Sequence, residues 1–260
     1  MKNKVIFAGC SFTWGQGLEL AHPDNYGQDW EGRLNNWPQL SQKHIEFIKE
    51  NRWTKLVCDE LGYEEINVSR PGHSNGESVY KLKKYIKENG TKNLKYIFLQ
   101  LTSEFRDFSF LEEDTTPITG KELALIIEKN LNENDGWNDI NRMNEIKSKL
   151  DNNFDLMKER NNILLSEVTK WFKKLEKENT HLKCYLIKWN SEFKSDDIQN
   201  EFFLNLFDED ITVLEWSQTN KLTGEDWMEK NGFQCFGENH LSIEGMKIFK
   251  DIFIKKLNQL

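Results

Sequence analysis

A chain of 260 residues, 37% of them hydrophobic, is long enough to bury a sizeable core, and α/β chains of this length are commonly single domains. A formal net charge of −8 without any lysine or arginine block excludes the basic footprint of a typical nucleic-acid binder. Four cysteines (Cys10, Cys58, Cys184 and Cys235) form no C-x-x-C pair, which excludes zinc-ribbon spacing and argues against a disulfide framework.

In chain order, Val5–Ala8 is a short run of apolar β-formers cut off by Gly9, the pattern of a buried strand. The small-residue stretch behind it carries Ser11, Gly15 and Gly17. Leu18 to Asn51 mixes Pro23, Gly27, Gly32 and Pro38 with Trp30 and Trp37, and reads as an irregular insertion tied down by aromatics. Trp53–Leu61 has helical apolar spacing with Gly62 as its stop. Glu65–Ser69 is a second short strand that runs into the turn-forming cluster Arg70–Gly76.

A helix is expected over Ser78–Lys87, and Leu94–Leu101 is the clearest strand of the chain, with Thr102 and Ser103 at its end. Glu104 to Asn153 reads as a second insertion. Leu164, Val168, Trp171, Phe172 and Leu175 mark an amphipathic helix over about Phe154–Lys177. His181–Lys188 and Ile211–Glu215 are read as strands, and Ser242–Leu257 as a final amphipathic helix. Strands alternating with helices give a mainly parallel sheet covered on both faces, in one domain spanning 1–260 with insertions at about 18–51 and 104–153.

Parallel strands deliver their following loops to one edge of the sheet, where open α/β folds bind ligands. Three such loops carry reactive side chains: Ser11 in the first; Gly72, His73, Ser74 and Asn75 in the second; Thr102 and Ser103 in the third. A hydroxyl at that edge becomes a nucleophile if a base reaches it, although this stretch alone reads more simply as a strand–loop–helix junction with a capping serine. Near the C-terminus His240 precedes Ser242, a helix-capping residue, and Glu238 lies two residues before the imidazole. A histidine takes a serine's proton, and a neighbouring carboxylate orients the ring and stabilises the imidazolium. Alone, His240 also reads as a surface histidine, and His73 as an exposed loop histidine. Cys10 is a rival nucleophile, but strand alternation points it inward. Trp14, Trp30 and Trp37 suit either sugar stacking or a small local core. Five dispersed histidines and a Gly15-x-Gly17 pair without dinucleotide spacing predict no metal and no cofactor.

Three blocks in order resemble the SGNH, or GDSL-type, hydrolase family. Gly9–Gly15 stands in the place of its Gly-Asp-Ser motif, Asn67–Asn75 is similar to its glycine block, and His240–Gly245 to its histidine block. The Gly-Cys-Ser-Phe and Thr-Ser-x-x-Arg forms are similar to those of phage and bacterial members. The resemblance implies a three-layer α/β/α, flavodoxin-like fold. It makes Ser11 the nucleophile, His240 the base supported by Glu238, and the N–H groups of Ser11 and Gly72 oxyanion donors, with Asn75 supporting that loop. The chain departs from the pattern at Cys10 (usually aspartate), at Glu238 (usually aspartate), and at the third block. There the family's asparagine donor is missing, and Thr102 or Ser103 could donate a hydroxyl instead.

The expected function is therefore a serine esterase acting on a small-molecule or carbohydrate ester, such as a sugar O-acetyl group, without nucleic-acid or membrane partners. Acyl transfer would use the same residues. The alternative is a catalytically weak relative that binds glycans or serves a virion structure. No apolar run reaches membrane-span length, and no leader-like pattern precedes the first strand, so a cytoplasmic location is expected, or a virion-associated one for a phage protein.

Overall fold

Why Lys4–Ala8 becomes a central strand is visible in its neighbours. Val5, Ile6, Phe7 and Ala8 are all buried, because strands flank this segment on both sides and helices cover both of its faces. The computed structural model describes residues 2–23, 41–102, 161–189, 201–207, 211–231 and 240–260. Within them four strands, β1 (Lys4–Ala8), β2 (Glu64–Asn67), β3 (Leu94–Leu101) and β4 (Lys183–Lys188), form one sheet in the order β2-β1-β3-β4. All three pairings are parallel. The chain leaves β1 for β2 on one side and then crosses to β3 on the other. The strand order therefore reverses at β1, so the carboxyl ends of β1 and β3 form the switch point at which open α/β sheets bind ligands.

Strand alternation divides the core in two. Val5, Phe7, Phe98 and Ile187 face Trp53 and Val57 of helix α3 (Trp53–Leu61), and Phe249 and Phe253 of helix α8 (Ile243–Leu257). Ile6, Ala8, Ile97, Leu99 and Leu186 face Val79 and Leu82 of helix α4 (Asn75–Asn89), and Leu165, Val168 and Phe172 of helix α5, which is described over 161–178. Trp53 stands edge-on to both Phe7 and Phe249 at ring-centroid distances of 5.2 and 5.1 Å, knitting β1, α3 and α8 together. Truncating so large a buried ring would cost about 3–5 kcal/mol. The expected three-layer α/β/α architecture is what the described residues form.

Three sequence readings need correction. Ile211–Glu215 is not a strand: helix α6 covers Val213–Thr219. Its β-branched residues suggest a strand, but Thr212 and Glu215 close a reciprocal capping box, which outweighs propensity. The bonds from Thr212 hold the Glu215 carboxyl below its ordinary range. The first insertion is not irregular throughout, since helix α2 (Gln42–Asn51) starts at the Ser41 cap, while Trp30 and Trp37 lie outside the described residues. Helix α4 begins at Asn75, three residues earlier than read, because Ser74 and Glu77 also form a capping box. Residues 104–153 lie outside the described ones. Two further short helices, α1 (Ser11–Trp14) and α7 (Gly224–Lys230), and a 3-10 turn at Leu18–Ala21 are also formed.

Candidate active site at the carboxyl edge of the sheet

The turn after β1 is built around a glutamine. Gln100, buried within the apolar run of β3, presents Oε1 to the Cys10 N–H (3.3 Å) and the Thr13 hydroxyl (2.7 Å). Its Nε2 donates to the Leu101 carbonyl at 3.0 Å. Gly9 makes this approach possible, since a Cβ there would lie 2.7 Å from Oε1 and 2.8 Å from the Thr13 hydroxyl. A second contact fixes the turn from the other side: Asn67, at the end of β2, donates to the Thr13 carbonyl at 2.9 Å. Ser11 consequently occupies the first position of α1, where backbone N–H groups have no helical acceptor. The residue is 3% exposed.

His240 arrives from the far end of the sequence. Its carbonyl accepts from Gly224 N–H at 2.7 Å, and Ser242 N–H donates to the Leu222 carbonyl at 2.8 Å, a short antiparallel bridge beside the start of α8. The bridge packs so closely that a Cβ at Gly245 would stand 2.4 Å from the Leu222 carbonyl oxygen. Ser242 caps α8 by accepting from Gly245 N–H at 3.1 Å. The outcome is a separation of 2.8 Å between His240 Nε2 and Ser11 Oγ, across 229 residues of sequence. With the ring proton on Nδ1, the hydroxyl donates to Nε2.

The second loop also folds back on the first. Val68 N–H donates to the Phe7 carbonyl at 2.9 Å, and Arg70 N–H to the Gly9 carbonyl at 3.4 Å. Gly72 has φ +80°, a left-handed conformation that a side chain would strain. His73 is buried, not exposed, because this turn lies against Gly9. Burial holds its imidazole below the ordinary 6.5, and Nδ1 has no partner among the described residues. Asn75 has both amide hydrogens engaged, one on the Thr102 carbonyl and one on Asn161 Oδ1, each at 3.0 Å. Its Oδ1 accepts from Thr102 N–H at 2.8 Å. Asn75 therefore ties the end of β3 to α4 and α5, and Thr102 has only its hydroxyl left to donate. Ser103 and Glu238 lie outside the described residues.

Cys10 is fully buried, with its sulfur 3.5 Å from Gln100 Oε1. Cys58 and Cys184 are also buried, and desolvation pushes the Cys58 thiol up to about 12 and raises that of Cys184 as well, which disfavours the thiolate at both. Trp14 packs against the core. Among the described residues no group of three metal-binding side chains converges, and no helix is long and apolar enough to cross a membrane.

Sequence reasoning missed Gln100 and two aromatics beside His240: Phe12, with its ring centroid 4.4 Å from the imidazole, and Trp189, stacked on Phe12 at 3.8 Å. A glutamine inside the continuous apolar run of β3 was the available signal for the first. The two aromatics gave none, because their stacking joins positions far apart in the chain.

No protein-family model matches the chain, and no curated protein matches it in sequence. Solved structures similar to it include a carbohydrate esterase whose active site displays divergent catalytic and non-catalytic binding functions. That likeness has a TM-score of 0.40 and 14% identity, over 99% of this chain and 69% of that one. A second is a carbohydrate esterase family 2 enzyme with a carbohydrate-binding domain from Corynascus thermopiles (Myceliophthora fergusii), at TM-score 0.38 and 10% identity, over 98% of this chain and 65% of that one. A third is a psychrotrophic esterase from a Pseudoalteromonas species, at TM-score 0.34 and 11% identity, over 99% and 97% of the two chains.

Proposed function

We propose that this chain is a serine esterase of the SGNH type. The single observation that carries the reading is the 2.8 Å separation of Ser11 Oγ and His240 Nε2 at the strand-order reversal of a parallel sheet. A serine retained only as a helix cap has no need of an imidazole brought from the opposite end of the sequence.

In the reaction, His240 Nε2 takes the Ser11 proton as Oγ attacks the acyl carbonyl carbon, and the carbonyl π electrons move onto oxygen. The N–H groups of Ser11 and Gly72 are the donors for that oxyanion, with the Thr102 hydroxyl a third where the family has asparagine. Glu238 is the carboxylate that would orient His240. Collapse expels the alkoxide, which receives the proton from His240 and leaves as alcohol. Water, deprotonated by the same imidazole, then releases the acid and restores Ser11. If a second alcohol took the place of water, the same steps would give acyl transfer.

Small acyl esters, and O-acetylated sugars among them, are the substrate class proposed. The test is hydrolysis of 4-nitrophenyl acetate and of an acetylated sugar by the parent, Ser11→Ala and His240→Asn. Each substitution is expected to lower turnover by several orders of magnitude. Equal hydrolysis by parent and Ser11→Ala would overturn the assignment.

A further inference from the structure

The ring of Phe12 packs against two others. The indole of Trp189 stacks on it at a centroid distance of 3.8 Å and 24° between planes. The imidazole of His240 also packs against the ring, at 4.4 Å and 34°. The three residues come from α1, from the end of β4 and from the bridge before α8, so the contact joins segments that are remote in sequence. Trp189 makes a firm backing: it is 3% exposed, its carbonyl accepts from Leu214 N–H at 3.2 Å, and its indole meets Phe249 at 6.3 Å.

The hydrogen bond to Ser11 fixes where Nε2 sits but by itself does not set the tilt of the imidazole about the Nε2–Oγ line. A ring packed this closely against the imidazole limits that tilt. An aromatic face also carries partial negative charge, so it attracts an imidazolium more than a neutral imidazole. Imidazolium is the form His240 takes once Ser11 has surrendered its proton. We propose that Phe12, backed by Trp189, is a positioning residue for His240, holding the imidazole plane towards Ser11 and favouring its protonated form. The proposal rests on the reading of Ser11 and His240 as nucleophile and base.

The test compares the parent with Phe12→Leu, which keeps an apolar side chain without an aromatic face, and Phe12→Tyr, which keeps the face. Phe12→Met repeats the first substitution should the leucine variant fail to fold. Proton NMR of the His240 ring, identified by the signals missing in His240→Asn, reads the stack through its ring-current shift. The rate of Ser11 labelling by a fluorophosphonate reads the poise of the pair without requiring a known substrate. Loss of the aromatic face is expected to abolish the ring-current shift and to slow labelling by roughly ten- to hundredfold, the scale of a misplaced catalytic group. Phe12→Tyr is expected to keep both properties. Labelling of folded Phe12→Leu or Phe12→Met at the parental rate would overturn the proposal, as would a tyrosine variant as slow as the leucine one. A parent that shows the ring-current shift but takes no label would overturn the nucleophile reading itself and the proposal with it.

Discussion

Replacing Gln100 with leucine should loosen the nucleophile turn and destabilise the whole domain together. The side chain is 1% exposed, and its carbonyl serves two donors, Cys10 N–H and the Thr13 hydroxyl, which are themselves buried. A leucine of similar bulk accepts from neither. Each orphaned buried donor costs about 1–3 kcal/mol, and the hydroxyl can partly escape by rotating, so a net loss of about 2–4 kcal/mol is expected. In a protein of this size that corresponds to a fall in Tm of about 4–16 °C. Thermal and urea unfolding followed by circular dichroism would measure it. Adding Thr13→Val removes one of the orphans, so the double variant should recover part of the loss. A loss below about 1 kcal/mol for Gln100→Leu, or a double variant less stable than the single one, would refute the reasoning.

Two further outcomes follow from buried charge. Arg52 and Glu65 form a two-pronged ion pair at 2.9 and 2.7 Å, with side chains 9% and 7% exposed, and the Thr54 hydroxyl also donates to Glu65. Glu65→Ala strands the guanidinium and should cost about 3–5 kcal/mol by urea unfolding, whereas Arg52→Met with Glu65→Leu should lie much nearer the parent; a harmless Glu65→Ala would contradict this. Burial holds the His73 imidazole below its ordinary range, so between the folded and unfolded values the unfolded chain binds the extra proton. Its contribution to stability is therefore complete above about pH 6.5 and declines as pH falls through the lower folded value. Urea midpoints between pH 7.5 and 5 should fall less steeply in His73→Gln than in the parent, and equal slopes would count against it.

Local signals made most of the fold legible. The apolar runs of β1 and β3, the Gly62 stop of α3 and the Ser242 cap of α8 are each written within a few residues. Helix α6 is hidden in the sequence because residues 211–213 are all β-branched, while the Thr212–Glu215 box that begins the helix is a short local signal. In the candidate site, Ser11 and His240 could be named because hydroxyl and imidazole chemistry narrows the choice and the sheet edge gives a meeting place. The environment of each could not. That Asn75 spends its amide on Thr102 and Asn161, that His73 is buried, and that Phe12 leans on Trp189 all depend on contacts between distant segments. No period or spacing encodes them.

The central claim is that Ser11 is an activated nucleophile. Its most direct test is to expose the folded protein to a fluorophosphonate at pH 8 and locate the adduct by mass spectrometry, with Ser11→Ala and His240→Asn alongside. The account predicts one adduct on Ser11, absent from Ser11→Ala and strongly slowed in His240→Asn. Folded protein that takes no label, or carries it on another residue, would contradict it.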